Sequence, residues 1–199
     1  MNELQVVLIG GTSHAGKSTL AQSLGRTLGW ECISTDSLAR HPGRPWKALQ
    51  KPVPSHVVEH YSSLSAEALL ADVLQHYQRM WPGIEDMVRR HASVSSKDGL
   101  ILEGSALWPV SVASLTVENV RAVWLTASDE FLCQRIYSES QFDEATDQEK
   151  KLIQKFIDRT LLYNQRMIEE VRRLGLISIN VEEVASLDNL SDRCLVSLQ

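Results

Sequence analysis

Long apolar runs are missing from this sequence of 199 residues. The stretch Val6 to Ile9 near its start falls far short of the roughly 20 residues of a spanning helix. It is also too short for a leader core, and no basic region precedes it. No membrane partner is expected, and the expected location is the cytoplasm. An excess of positive charge is missing as well. Twenty Lys and Arg stand against 25 Asp and Glu, a net charge of -5, so the basic footprint of a nucleic-acid binder is absent. Cysteine is scarce: Cys32, Cys133 and Cys194 are an odd number at spacings unlike any metal knuckle. They read as reduced packing residues in a chain large enough to need no stapling. Repeats, low-complexity tracts and linkers are absent too, so the expected organisation is one domain over residues 1–199.

What is present alternates between two periods. Leu4 to Ile9, Trp30 to Ser34, Leu100 to Leu102, Val120 to Leu125 and Leu176 to Val181 are short runs rich in Val, Leu and Ile. Such runs suit strands buried on both faces. Between them the apolar residues recur at helical spacing. Leu20, Ala21, Leu24 and Leu28 do so before Gly29, a natural helix stop. Ser65 to Trp81 predicts a helix that Pro82-Gly83 breaks before a shorter one from Ile84 to His91. Asp129 to Ser138 and the long stretch Gln148 to Leu174 complete the set. Four of the six prolines fall between His41 and Pro54, which predicts irregular chain there. Short buried strands separated by helices imply a three-layer α/β fold with a parallel sheet.

Gly11-Thr12-Ser13-His14-Ala15-Gly16-Lys17-Ser18, with Thr19 following, satisfies the pattern G-x-x-x-x-G-K-[ST]. It lies between an apolar strand and a helix, where its chemistry requires it. Glycines let successive backbone N–H groups wrap around phosphate oxygens, and the helix points the positive end of its dipole at them. This pattern predicts ATP or GTP binding, with Lys17 on the terminal phosphates and Ser18 on Mg²⁺. No Asn-Lys-x-Asp guanine signature occurs.

The run Gly10 to Thr19, followed by Ile33-Ser34-Thr35-Asp36-Ser37-Leu38, resembles the P-loop small-molecule kinases of the nucleoside-monophosphate-kinase-like group. Within it, the 2-phosphoglycerate-kinase-like and chloramphenicol-phosphotransferase-like proteins are most similar. The resemblance implies a five-stranded parallel sheet of order 2-3-1-4-5. It also implies an ATP-dependent phosphotransferase acting on a hydroxyl, with Asp36 as general base. A helix cap is the other reading of Asp36, since Asp is a favoured cap and Ser37 follows. Leu100-Ile101-Leu102-Glu103-Gly104 has the apolar strand ending in a carboxylate of a Walker B element, so Glu103 is expected at Mg²⁺ and near the substrate.

In this group a lid also brings arginines over the transferring phosphoryl. Here the lid candidate, Glu139 to Glu149, contains none, and Arg135 before it and Arg159 or Arg166 after it are the substitutes. Arg159, Tyr163, Arg166, Glu170 and Arg173 share one stripe, which is also how a solvated helix face reads. Arg40, His41, Arg44 and Lys47 form a basic cluster after Asp36, suited to an anionic acceptor and equally to a solvated loop. An acceptor-side insertion is thus expected over about 38–92. The other histidines, among them His56, His60, His76 and His91, lack ligand spacing, and no zinc site is expected. Trp46, Trp81 and Trp108 are candidates for a pocket wall or for core. A nucleoside or nucleotide kinase, a regulatory ATPase and a toxin-type kinase remain the alternatives. The acceptor and the oligomeric state stay open.

Overall fold

Every residue of β1, Val6–Gly11, is buried, as a central strand of a parallel sheet requires. Because side chains alternate along a strand, Val7 and Ile9 face one layer while Val6 and Leu8 face the other. The computed structural model describes residues 4–39, 41–46, 52–93 and 98–198. In it β1 is followed by α1 (Lys17–Leu28), β2 (Glu31–Ser34), α2 (Ser55–Ser63), α3 (Ala66–Ser93), β3 (Leu100–Glu103) and α4 (Pro109–Ala113). The order continues with β4 (Val120–Thr126), α5 (Asp129–Ser140), α6 (Asp147–Arg173), β5 (Ser178–Asn180) and α7 (Leu187–Ser197). All strand pairs are parallel, and the sheet order is β2-β3-β1-β4-β5. This is the three-layer α/β fold expected from the sequence.

Val7 and Ile9 pack on Leu20 and Leu24 of α1 and on Leu190 and Cys194 of α7. Val6 and Leu8 pack on Leu70 and Val73 of α3 and on Met167 and Val171 of α6. A third apolar cluster, with Trp46, Tyr61, Leu69, Ile153 and Phe156, lies under the segment after β2. Among the described residues no helix is long and apolar enough to cross a membrane.

One expectation needs correction, and two helices lie outside the sequence reading. Pro82 does not break the helix: α3 runs through it as one element. The apolar face continues on both sides, with Leu69, Leu70 and Val73 before the proline and Ile84, Val88 and Ala92 after it, and this packing outweighs a local cost of about 3 kcal/mol. Helices α2 and α7 were not anticipated. Gly29 does end α1, in the left-handed conformation at φ 71, with its N–H on the Gly25 carbonyl.

Candidate active site

Strand register brings three distant segments to one edge. Ile9 of β1 pairs with Glu103, and so does Ser34 of β2 from the other side. The phosphate loop after β1, the turn after β2 and the carboxylate ending β3 therefore converge at the carboxyl ends of the strands, where parallel sheets hold ligands.

Gly16, at φ 93, precedes α1 in a conformation that costs an L side chain dearly, and it leaves the helix N-terminus without a side-chain cap. Those free N–H groups, in a fully matched phosphate loop, make an anion cradle. Lys17 is 8% exposed, and its Nζ donates to the Thr12 carbonyl at 2.8 Å. Burial lowers its pKa, opposed by the charges of Glu103 and Asp36. Among the described residues it has no ion-pair partner, so a buried ammonium faces an open cleft. Ser18 Oγ donates to Glu103 Oε1 at 2.9 Å, which places two hard oxygen donors together at the foot of that cleft. Such a pair fits Mg²⁺, an ion that takes few protein oxygens and keeps several waters.

The cleft holds about 400 Å³ and is lined by Ser13, His14, Gly16, Lys17, Ser18, Thr19, Asp36, Arg44, Glu103, Ser105, Arg135 and Glu139, among others. Arg135 Nη1 donates to the His14 carbonyl at 3.1 Å, so the guanidinium stands over the phosphate loop. A second compartment of about 310 Å³ adjoins it, walled by His41, His76, Tyr77, Met80, Phe156 and Arg159. Ser13, Asp36, Arg44 and Ser105 line both. Asp36 is exposed in a single 3-10 turn, Thr35–Ser37, and no helix begins at Ser37. The cap of that turn is Ser34, whose hydroxyl accepts from the Asp36 N–H at 3.4 Å. The Asp36 carboxylate is thus free of capping and stands on the boundary between the compartments.

Arg159 departs from the solvated-face reading. It and Tyr163 are buried while Arg166 is exposed, so the stripe divides along α6. Arg159 is 8% exposed, lies over the Phe156 ring at 4.5 Å, and has no hydrogen-bond or carboxylate partner among the described residues. Its neighbour Thr160 accepts a bond from Thr12 Oγ1 at 3.4 Å, tying the phosphate loop to α6. Tyr77 is pushed up to about 12 by burial, with Arg159 opposing, so its phenol stays neutral. Arg44 pairs with Glu139, which also approaches His14 Nε2 at 3.0 Å. Arg40 and Lys47 lie outside the described residues. Trp46 packs on Phe156 with ring centroids 4.8 Å apart and does not line the second compartment.

Ser105 was not anticipated. Its hydroxyl donates to the Gly11 carbonyl at 2.9 Å, and its own carbonyl accepts from Tyr163 Oη at 2.6 Å. The signal was its place two residues beyond Glu103 at a strand end.

A five-stranded parallel sheet of this order, with a phosphate loop after its central strand, is the fold of the P-loop kinases. No family model matches the sequence, and no curated protein does. Solved structures do match. A gluconokinase from Sinorhizobium meliloti 1021 is 16% identical over 100% of this chain and 93% of its own, with a TM-score of 0.54. A shikimate kinase from Bacteroides thetaiotaomicron is 14% identical over 98% of each chain, at 0.53. A deoxyadenosine kinase from M. mycoides, solved with bound dATP, is 14% identical over 97% of this chain and 98% of its own, at 0.54.

Proposed function

We propose that the protein is an ATP-dependent kinase that transfers the γ-phosphoryl to a hydroxyl of a small molecule bearing an anionic group. The observation that supports this reading best is the pair of compartments meeting at Asp36. One has the fittings of a triphosphate site, and the other is walled by neutral aromatic groups around a buried arginine.

Gly11 to Thr19 wrap the phosphates, with Lys17 neutralising oxygens of the β- and γ-phosphates, between which the P–O bond breaks. Ser18 and Glu103 hold Mg²⁺, which when bound offsets the charge that develops on the phosphates. Asp36 takes the hydroxyl proton as the acceptor oxygen attacks the γ-phosphorus and the bond to the β–γ bridging oxygen breaks, releasing ADP. Arg135 steadies the charge of the transferring group, and Arg159 and Arg44 hold the anionic part of the acceptor. Residues of about 38–92 form the acceptor side and 139–149 a short lid within a single domain.

ADP release from ATP and Mg²⁺ over a panel of hydroxylated acids, sugars, nucleosides and phosphorylated metabolites tests this. An acceptor-dependent rate is expected, and Asp36→Asn should lower it by about 10² to 10⁴ with ATP affinity within a few-fold. Lys17→Ala should weaken ATP binding at least about tenfold. Unchanged ATP affinity in that variant would remove the basis of the proposal. Fast hydrolysis without an acceptor, stimulated by another protein, would favour a regulatory ATPase. A nucleotide acceptor is the second reading, favoured by the same buried Arg159. Its ionised phosphate needs no base, so Asp36→Asn would leave that rate within a few-fold.

A further inference from the structure

Behind the acceptor-side compartment three polar side chains from three elements point at one another. His41 comes from the segment after β2, His60 from α2 and Asp72 from α3. One ligand atom from each lies within 4.8 Å of the others. His41 Nε2 is 3.4 Å and His60 Nε2 is 3.9 Å from Asp72 Oδ2. Despite these distances, both Nε2 atoms are buried and make no hydrogen bond among the described residues. A histidine nitrogen without a partner, aimed at a carboxylate and a second such nitrogen, is a costly arrangement unless something sits between them.

The orientation of His41 is set from behind. Its Nδ1 lies 2.9 Å from the Pro42 carbonyl, which can only accept, so Nδ1 carries the hydrogen and Nε2 keeps its lone pair. Metal-ligating histidines are held this way by an outer carbonyl or carboxylate. We propose that His41 Nε2, His60 Nε2 and Asp72 Oδ2 form a Zn²⁺ site, separate from the Ser18 and Glu103 pair, that fastens the segment after β2 to helices α2 and α3. Two imidazoles and one carboxylate select a borderline ion over Mg²⁺ or Ca²⁺, which take oxygen. Spacing selects the geometry. Donors about 2.0 to 2.1 Å from a tetrahedral ion stand roughly 3.3 to 3.4 Å apart, whereas neighbouring donors of an octahedral ion stand roughly 3.0 Å apart. The 3.4 Å between His41 Nε2 and Asp72 Oδ2 matches the tetrahedral edge, and His60 Nε2, at 3.9 Å, stands roughly 0.5 Å outside it. Asp72, with its side chain 39% exposed, gives the ion an entry path, and water completes the fourth position.

The test uses the full chain, stripped of metal and free of nucleotide, titrated with Zn²⁺ against a chromophoric chelator and with Co²⁺ followed by visible absorption. One Zn²⁺ per chain is expected, with a raised Tm. His60→Gln and Asp72→Asn should each lower the affinity at least about tenfold. His56→Gln and His91→Gln should bind as the parent does. Circular dichroism checks the fold, and if His60→Gln does not fold, the half-exposed Asp72→Asn carries the comparison. A parent chain that takes up no Zn²⁺ overturns the proposal, as does unchanged binding in Asp72→Asn. A Co²⁺ complex with a thiolate charge-transfer band would place the ion on a cysteine, and a weak octahedral spectrum would remove the geometry; either outcome overturns it. Strong tetrahedral bands without charge transfer, lost in Asp72→Asn, support it.

Discussion

His14 sits in the phosphate loop at φ 66, with its imidazole buried against Trp46 and Phe156. Burial lowers its pKa from 6.5 to about 4, helped by Arg44 and opposed by Glu139. Between those two values the unfolded chain holds more protons than the folded one, so stability rises with pH across the window. The contribution is complete above about pH 6.5 and is lost as pH falls toward 4. His14→Asn keeps a side chain tolerated at positive φ and removes the titration. Urea denaturation should then show a flatter acid limb than the parent, whose slope from this one group approaches roughly 1.4 kcal/mol per pH unit. Parallel curves would mean that His14 is not the group responsible. Gly104, just beyond Glu103, has φ 152, and a Cβ there would collide with the Thr35 side chain. Gly104→Ala should cost roughly 1 to 3 kcal/mol, read as a lower denaturation midpoint. This contact explains the glycine after the carboxylate in Leu-Glu-Gly: it lets the turn bearing Asp36 close onto β3.

Helices with long, regular apolar faces were legible in the sequence, and those fixed by tertiary contact were not. α1 and α6 were readable because both period and ends were written in the chain. α6 also begins with a capping box, in which Thr146 Oγ1 accepts from the Glu149 N–H at 3.3 Å and Glu149 Oε2 from the Thr146 N–H at 2.9 Å. Thr146→Ala should therefore cost about 1 kcal/mol in thermal or urea unfolding without changing the helix beyond its first turn. A change below about 0.3 kcal/mol would show that packing of Leu152 and Ile153 alone sets the helix start. By contrast α2 buries only Val57 and Tyr61, too little for a periodic signal, and follows a proline-rich segment that masks it. α7 had a signal, Ser186 capping the N–H of Asn189 before Leu190 and Cys194, but β5 is only three residues long and left the preceding boundary indistinct. Pro82 misled because a propensity of about 3 kcal/mol is local, whereas α3 is held along its whole length.

At the scale of the molecule, the meeting of Lys17, Ser18, Asp36 and Glu103 in one cleft was legible and the lining of the second compartment was not, for one reason. Lys17, Ser18 and Asp36 follow strands and Glu103 ends one, and parallel pairing aligns strand ends automatically. The other compartment gathers His41, Tyr77 and Arg159 from a loop and two long helices, and nothing in their spacing announces the meeting. Arg159 carries the consequence. A buried guanidinium with no carboxylate partner among the described residues is a net cost to the free protein, only partly offset by its stacking on Phe156, worth about 0.5 to 2 kcal/mol. Such a cost is retained where a ligand supplies the missing negative charge. Arg159→Met keeps the stem against Phe156 and removes the charge. The ligand-free variant should therefore melt at the same temperature as the parent or higher, while KM for an anionic acceptor rises at least about tenfold and ATP affinity stays within a few-fold. Arg159→Lys should recover little, since a point charge does not replace a fork matched to carboxylate or phosphate. If Arg159→Met instead unfolds, the guanidinium is held by the protein itself, and the acceptor's anionic group must be bound elsewhere in the cleft.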